Sequence, residues 1–323
     1  MPFNLRKIEY ALAVAENRSF SRAAEALKIS QPTITRSIQS LEQEIGARIF
    51  DRSRAGVSIT AAGQLLLDRG AALAASALEL QRDLKLLKGV ELGQISIGAG
   101  PYPAAISVGH SVGELLARHP MLEVDVRVGG WLSLRQQVLD RQLDLSVAEL
   151  SGIADDQRFE VQPCEKHRAV LICRNSHPVL HAEALTLQDI RNFPLVSTVL
   201  PGRMRMLPAR RESGPHGDDL VVPTVRVDTM GLVMDIVAAS DAIGIAMPVH
   251  VLPSVQRGDL AVLALDLPFL KSNYGIIRLA GRTPSPAAEA FTRIALRCDS
   301  EAQKKNAAAE RQLRRIMQNQ PNA

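Results

Sequence analysis

The sequence predicts a multidomain chain: an all-α N-terminal unit with a winged helix-turn-helix, one long linker helix, and a C-terminal α/β unit of two subdomains. Three observations carry this expectation. Residues 19–42 read SFSRAAEALKISQPTITRSIQSLE, two short helices about a tight turn. Residues 66–87 hold an apolar seam whose steps alternate between four and three, the repeat of a helix paired along its length. From residue 91 onward, apolar runs of strand length alternate with helical ones, the pattern of an α/β fold with mostly parallel sheets.

The 323 residues suffice for two or three domains. Apolar residues make up 46% and aromatic ones 3%, so the cores must rest on Leu, Val, Ile and Ala. No apolar run reaches the ~18 residues of a membrane-spanning helix. The first residues lack the charged-then-apolar pattern of an export signal, which makes the cytoplasm the expected compartment and leaves no membrane partner. Cys164, Cys173 and Cys298 fit a reducing compartment and form no Cys-x-x-Cys pair, so no zinc is expected. Cys164 and Cys173 read either as a redox pair or as structural thiols; the apolar run 169–173 favours the second. Charge is unevenly placed. Residues 1–60 carry nine Lys/Arg against six Asp/Glu, and residues 301–323 five against two, around a slightly acidic body. A basic N-terminal unit suits contact with phosphates.

The first helix is predicted from Leu5, Ile8, Leu12 and Ala15. In the pair that follows, Ala23 and Ala24 let a second helix cross closely, and the turn runs through Lys28, Ile29 and Ser30. Ser30 fits an N-cap and Pro32 a first helical turn. Ile34, Ile38, Leu41 and Ile45 form one buried stripe. The opposite face carries Gln31, Thr33, Thr35, Arg36, Gln39 and Ser40. It reads either as a surface for a DNA major groove or as an ordinary solvated face. Gly46 ends the helix. Two short strands at 49–50 and 57–59 flank a basic turn, which is either a wing carrying Arg52 and Arg54 to the DNA backbone or a plain hairpin.

Thr60 is the expected cap of a helix reaching residue 88. Its seam is Leu66, Gly70, Leu73, Ala77, Leu80, Leu84 and Leu87. That seam must be covered, either by the same helix of a second subunit, giving a homodimer, or by the chain's own body. Two-fold symmetry suits paired half-sites on DNA. Beyond it, strands are predicted at 94–99, 122–128, 143–150, 167–174, 193–200, 221–227, 242–248, 260–265 and 274–279. Helices are predicted at 106–118, 133–140, 230–239 and 287–297, with a polar loop over 201–219. The basic tail 300–323 is expected to be a loose helix or disordered.

The succession SFSRAAEAL…SQPTITRSIQSLEQEIGARIFDR…ITAAG resembles the winged helix-turn-helix signature of the LysR-type transcriptional regulators, and the match is strongest over residues 3–64. GQISIGA, HPMLEVDVRVGG, LDLSVAE, NSHPVL and GIAMP then follow in the order of that family's effector domain. The resemblance implies a type 2 periplasmic-binding-protein-like domain of two Rossmann-like subdomains. It divides the chain into a DNA-binding domain at 1–60, a linker and dimerisation helix at 61–89, and an effector domain at 90–299. Within the last, subdomain I covers about 90–162 and 269–299, and subdomain II about 163–268. It implies a non-enzymatic regulator without cofactor, whose partners are promoter DNA, a small effector, a second copy through the linker helix, a dimer of dimers, and RNA polymerase. Gln31, Pro32, Thr33, Thr35 and Arg36 would meet base edges, with Thr35 where the family usually has serine; Ser19, Ser21, Arg52 and Arg54 would meet the backbone.

In the implied architecture, ligands gather at strand ends against helix N-termini. The corresponding residues are Pro101 and Tyr102, Trp131 and Ser133, Ser197 and Thr198, and Asp228 and Thr229, with Pro248 at the rim. Pro101-Tyr102-Pro103 replaces the Ser/Thr-rich loop of many members. Tyr102 and Trp131 either meet an aromatic or apolar part of the ligand or pack as ordinary rings. Arg203, Arg205, Arg210 and Arg211 either draw an acidic effector or lie in a solvated loop. Two rivals are weaker. A metabolic enzyme lacks any G-x-G-x-x-G, P-loop or G-x-S-x-G motif, and His177 and His181, four apart, are separated by Pro178. A solute-binding protein would need an export signal and would not need residues 1–88.

Overall fold

A computed structural model describes residues 4–53, 56–87, 93–153, 156–182, 184–214 and 217–319. The chain divides into two units, Met1–Val90 and Glu91–Ala323. Among the described residues, no helix is long and apolar enough to cross a membrane.

The first unit opens with α1 (Leu5–Asn17), capped by Asn4, whose side chain accepts from the Arg6 N–H at 3.0 Å. Its buried residues are Ile8, Tyr10, Ala11 and Val14; of the other predicted positions, Leu12 and Ala15 are half-buried against the same core and Leu5 is half-buried. α2 (Phe20–Ala26) buries Ala23 and Ala24. The turn to α3 (Gln31–Ile45) closes with Lys28 in the left-handed region, φ 54°. Ile34, Ile38 and Leu41 of α3 are fully buried, each stabilising the unit by about 1.5–3 kcal/mol. The wing is an antiparallel pair, β1 (Phe50–Ser53) and β2 (Gly56–Ile59), in register Phe50↔Ile59. Glu42 of α3 anchors it by accepting from the Ile49 N–H at 2.8 Å. Thr60 caps α4 (Ala61–Leu87): its Oγ1 accepts from the Gly63 N–H at 3.0 Å and donates to the Arg48 carbonyl at 2.6 Å. The predicted seam of α4 divides. Gly70 faces α1, where a Cβ would stand 2.6 Å from Ile8 Cγ2, and it joins Gly63, Leu67 and Ala74 in a stripe buried within the unit. Leu73 and Leu80 are 47% and 60% exposed. Leu84 and Leu87 lie beyond the described side chains.

The second unit has two lobes. The first is built on β3 (Gln94–Ala99), β4 (Glu123–Val128), β5 (Leu145–Glu149) and β6 (Phe159–Pro163). After β3 the helix begins at Pro101, earlier than predicted: α5 (Pro101–Pro103), a π-helical stretch Ala104–Val108, and α6 (Gly109–Arg118). Prolines are tolerated there because first-turn N–H groups have no helical partner. α7 (Trp131–Leu139) packs beside β5. The second lobe is built on β7 (Val170–Arg174), β8 (Leu195–Ser197), β9 (Leu200–Pro201), β10 (Arg210–Ser213), β11 (Asp219–Val222) and β12 (Val225–Arg226), followed by α8 (Met230–Ala238), β13 (Ile243–Ala246), α9 (Pro248–Arg257) and β14 (Leu260–Val262). β15 (Tyr274–Leu279) returns to the first lobe and α10 (Pro286–Asn319) closes the chain.

The sheet orders are β4-β3-β5-β15-β6 and β12-β8-β13-β7-β14. Both are mixed, against the expectation of mostly parallel sheets, because β15 and β7 run antiparallel to their neighbours. The predicted strand 193–200 breaks at Thr198-Val199, and the strand 221–227 breaks at Pro223-Thr224. Their outer halves, β9 and β11, form a third sheet with β10. The loop expected over 201–219 is therefore partly a β-hairpin; all four residues of RRES are exposed, so the strand carries no apolar alternation to read. α9 and β6 escaped prediction; Pro248, read as a strand end, is the first residue of α9. The tail is neither loose nor disordered up to Asn319. α10 carries it with Ala302, Asn306, Ala309 and Leu313 buried at steps of four, three and four. Asn306 bonds the Val249 N–H at 3.1 Å and the Arg168 carbonyl at 2.9 Å. α10 thus spans both lobes, with Phe291 in one core and Leu313 in the other.

Candidate functional site

α3 buries its apolar stripe and turns its first residues outward. Gln31, Pro32, Thr33 and Arg36 are exposed and Thr35 is half-buried. Gln31 is steered from α2, since Ser21 Oγ donates to its Oε1 at 3.2 Å. The Ser30 and Thr33 hydroxyls share a 2.7 Å hydrogen bond, so Ser30 holds the N-cap position without capping a backbone N–H. Ser19 caps α2, accepting from the Arg22 N–H at 3.4 Å. Arg52 belongs to β1, and Arg54 lies outside the described residues. The result is an outward edge of hydroxyls, one amide and one guanidinium. Such groups match base edges and phosphates.

Between the lobes of the second unit is a small cavity of about 50 Å³. Of the positions expected at an effector site, Pro101, Tyr102, Trp131 and Thr198 line it. Ser197 lies behind the wall, fully buried, with its Oγ 3.2 Å from Tyr102 Oη. Ser133, Asp228, Thr229 and Pro248 stand outside the lining. Ser133 is exposed and accepts from Gln137 Nε2 at 3.1 Å, Asp228 and Thr229 are exposed ahead of α8, and Pro248 is buried in α9. The lining adds Glu149, Ile245, Met247, Lys271 and Ser272. Glu149 ends β5, so the strand-end rule that pointed to Ser197 also reaches it. Lys271 and Ser272 sit in a linking segment that carries no such pattern.

Charge in the cavity is largely internal. Arg203 Nη2 donates to Glu149 Oε2 at 2.7 Å, and its Nη1 to the Lys271 carbonyl at 2.6 Å. Burial pushes the Tyr102 hydroxyl up to about 12, so it stays protonated. Trp131 Nε1 and Arg203 Nε are buried and find no acceptor among the described residues. A second recess, about 450 Å³, adjoins through the same Trp131 and Arg203. At its edge Arg135 and Asp218 form a buried ion pair, 2.8 Å. Burial also pushes the Cys164 and Cys173 thiols up, Cys173 to about 12, which keeps them unreactive and agrees with structural roles. Among the described residues, no group of three His, Cys, Asp or Glu side chains is placed to hold a metal ion.

The sequence model of the LysR substrate binding domain matches residues 88–297, and that of the lysR family of bacterial regulatory helix-turn-helix proteins matches residues 5–64. The chain belongs to the LysR family. This LysR-family chain is 36% identical over 312 residues to the SDS degradation transcriptional activation protein of a Pseudomonas species, covering 95% of this chain and 99% of that one. It is 24% identical over 306 residues to the HTH-type transcriptional regulator GbpR of Azospirillum brasilense, covering 94% and 88%. Its fold matches the crystal structure of CbnR, a LysR family transcriptional regulator, at TM-score 0.62 and 18% identity, covering 92% of this chain and 99% of CbnR. CbnR has also been solved in complex with its target DNA, a structure matched at TM-score 0.60. The LysR-family chain described here is a DNA-binding transcriptional regulator with a helix-turn-helix domain and an α/β substrate-binding domain.

Proposed function

We propose that this regulator binds promoter DNA as a homodimer paired through α4, assembles further into a tetramer, and responds to a small acidic or aromatic effector between its lobes. Residues 1–60 serve as the DNA-binding domain, 61–89 as the pairing helix and 90–299 as the effector domain, with α10 continuing to Asn319. Gln31, Pro32, Thr33, Thr35 and Arg36 read base edges; Ser19, Ser21, Arg52 and Arg54 meet the backbone. The exposed polar start of α3 over its sealed core carries this reading. The exposed Leu73 and Leu80 support pairing through α4, since a helix bearing such residues at heptad spacing buries them against another. The protein works in the cytoplasm, without catalysis or cofactor, and RNA polymerase is its partner at the promoter. The Pseudomonas relative's name suggests activation of genes that handle organic anions.

A gel-shift assay on the gene's own upstream region tests this. Low salt should give a discrete shift that weakens steeply as salt rises. Failure to shift any upstream fragment, with or without candidate effectors, contradicts it.

A further inference from the structure

We propose that the interlobe cavity takes an amphiphile: a singly negative oxygen head group at Trp131 and Arg203, and an aliphatic tail against Pro101, Pro103, Ile245 and Met247. The proposal rests on the reading of this cleft as the effector site. Three observations carry it. First, Trp131 Nε1 and Arg203 Nε are buried N–H donors without an acceptor among the described residues. A desolvated donor left unpaired is costly and uncommon in native structures. Both residues line the inner cavity and the outer recess alike, so they stand where the two meet. Both groups only donate, so the head group must supply acceptor oxygens; an ammonium cannot.

Second, the Arg203 charge is matched by Glu149. Lys271, also among the lining residues, makes no ion pair among the described residues. One positive charge is left over, which a single negative charge balances. Third, the remaining polar side chains of the wall are already engaged. Tyr102 bonds Ser197, Thr198 Oγ1 donates to the Val199 carbonyl at 3.1 Å, and Ser272 Oγ accepts from the His167 N–H at 2.8 Å. The inner wall therefore has few polar groups to spare for a polyhydroxylated metabolite, since each of these hydroxyls already holds one partner. Pro101, Pro103, Ile245 and Met247 give the wall an apolar stretch that suits an aliphatic tail, and Met247 adapts to it.

Calorimetric titration of the full-length protein with octyl sulfate, octanoate, octan-1-ol, octyltrimethylammonium, methyl sulfate and acetate, all below micellar concentration, tests this. Both octyl anions should bind at least 10-fold more tightly than octanol and 100-fold more tightly than the short anions, with no binding of the cation. Trp131→Phe, which keeps the ring and loses the N–H, should weaken the octyl anions about 10-fold. The tighter of octyl sulfate and octanoate tells a sulfate ester from a carboxylate as the natural head. Equal binding of octanol or the cation, equal binding of the short anions, or an indifferent Trp131→Phe overturns the proposal. If a compact or ring-shaped metabolite binds this cleft and changes operator binding instead, the effector-site reading survives and the amphiphile does not. If no ligand binding changes operator affinity, the effector-site reading itself fails.

Discussion

Arg203 and Glu149 pin the two lobes together: Nη2 of one meets Oε2 of the other at 2.7 Å, with the side chains 30% and 14% exposed. Partly screened pairs of this kind stabilise by roughly 1 kcal/mol. Glu149→Gln should therefore lower the thermal midpoint by a few degrees. It should also tighten binding of octyl sulfate, because the Arg203 charge is no longer matched. Scanning calorimetry and titration check both effects. A variant that melts with the native protein and binds anions no better contradicts the role given to this pair.

Arg135 and Asp218 behave differently because both are buried, 6% and 7% exposed. Removing one partner strands the other's charge away from water, at a cost of about 3–5 kcal/mol. Asp218→Ala should lose that much in urea unfolding. Arg135→Met combined with Asp218→Leu should recover most of the loss, since an apolar pair of similar size has no charge to desolvate. A double variant as unstable as the single one argues against charge burial as the cause.

His250 also crosses the cleft, with Nε2 3.0 Å from the Ala105 carbonyl. Burial lowers its pKa from the ordinary 6.5. The unfolded chain then binds the proton more readily than the native one, so this contribution is full above pH 6.5 and declines as pH falls through the lowered native value. Stability measured from pH 7.5 to 5 should fall, and His250→Gln should flatten that part of the slope. An unchanged slope excludes His250 as its source.

Gly63 sits in the first turn of α4, where a Cβ would lie 2.2 Å from the Ile49 carbonyl oxygen. Backbone cannot step aside as a side-chain tip can. Gly63→Ala should cost about 3 kcal/mol and lower the melting of the N-terminal unit, read by circular dichroism. An alanine tolerated within half a kcal/mol contradicts the close approach of α4 to the root of the wing.

Much of the N-terminal unit was legible because its signals are local. Ile34, Ile38 and Leu41 repeat at helical spacing, Gly46 ends the helix in the left-handed region, and Thr60 caps the next. Gly70 misled because its position in a seven-residue repeat says nothing about which neighbour it meets; Ile8 is distant in sequence. In the second unit, strand-end residues such as Tyr102, Trp131 and Thr198 were reachable from pattern. Ser133, Asp228 and Thr229 share that pattern and still lie outside the cavity, because which strand ends converge depends on the pairing of distant strands. Lys271 enters through a linking segment whose placement is set by both lobes. The tail's buried stripe was masked by its charge, since Ala302, Asn306 and Ala309 are small or polar and Leu313 is the one large apolar member of the stripe, set among lysines and arginines.

DNA reading by this regulator depends on the outward edge of α3. The most direct measurement is equilibrium binding of the full-length protein to its upstream operator and to a scrambled duplex of equal length, comparing the native chain with Gln31→Ala/Arg36→Ala. Each base-edge contact is worth about 1–3 kcal/mol, so the double variant should lose about 30-fold or more on the operator and little on the scrambled duplex. Equal affinity and equal discrimination in the two proteins would contradict it.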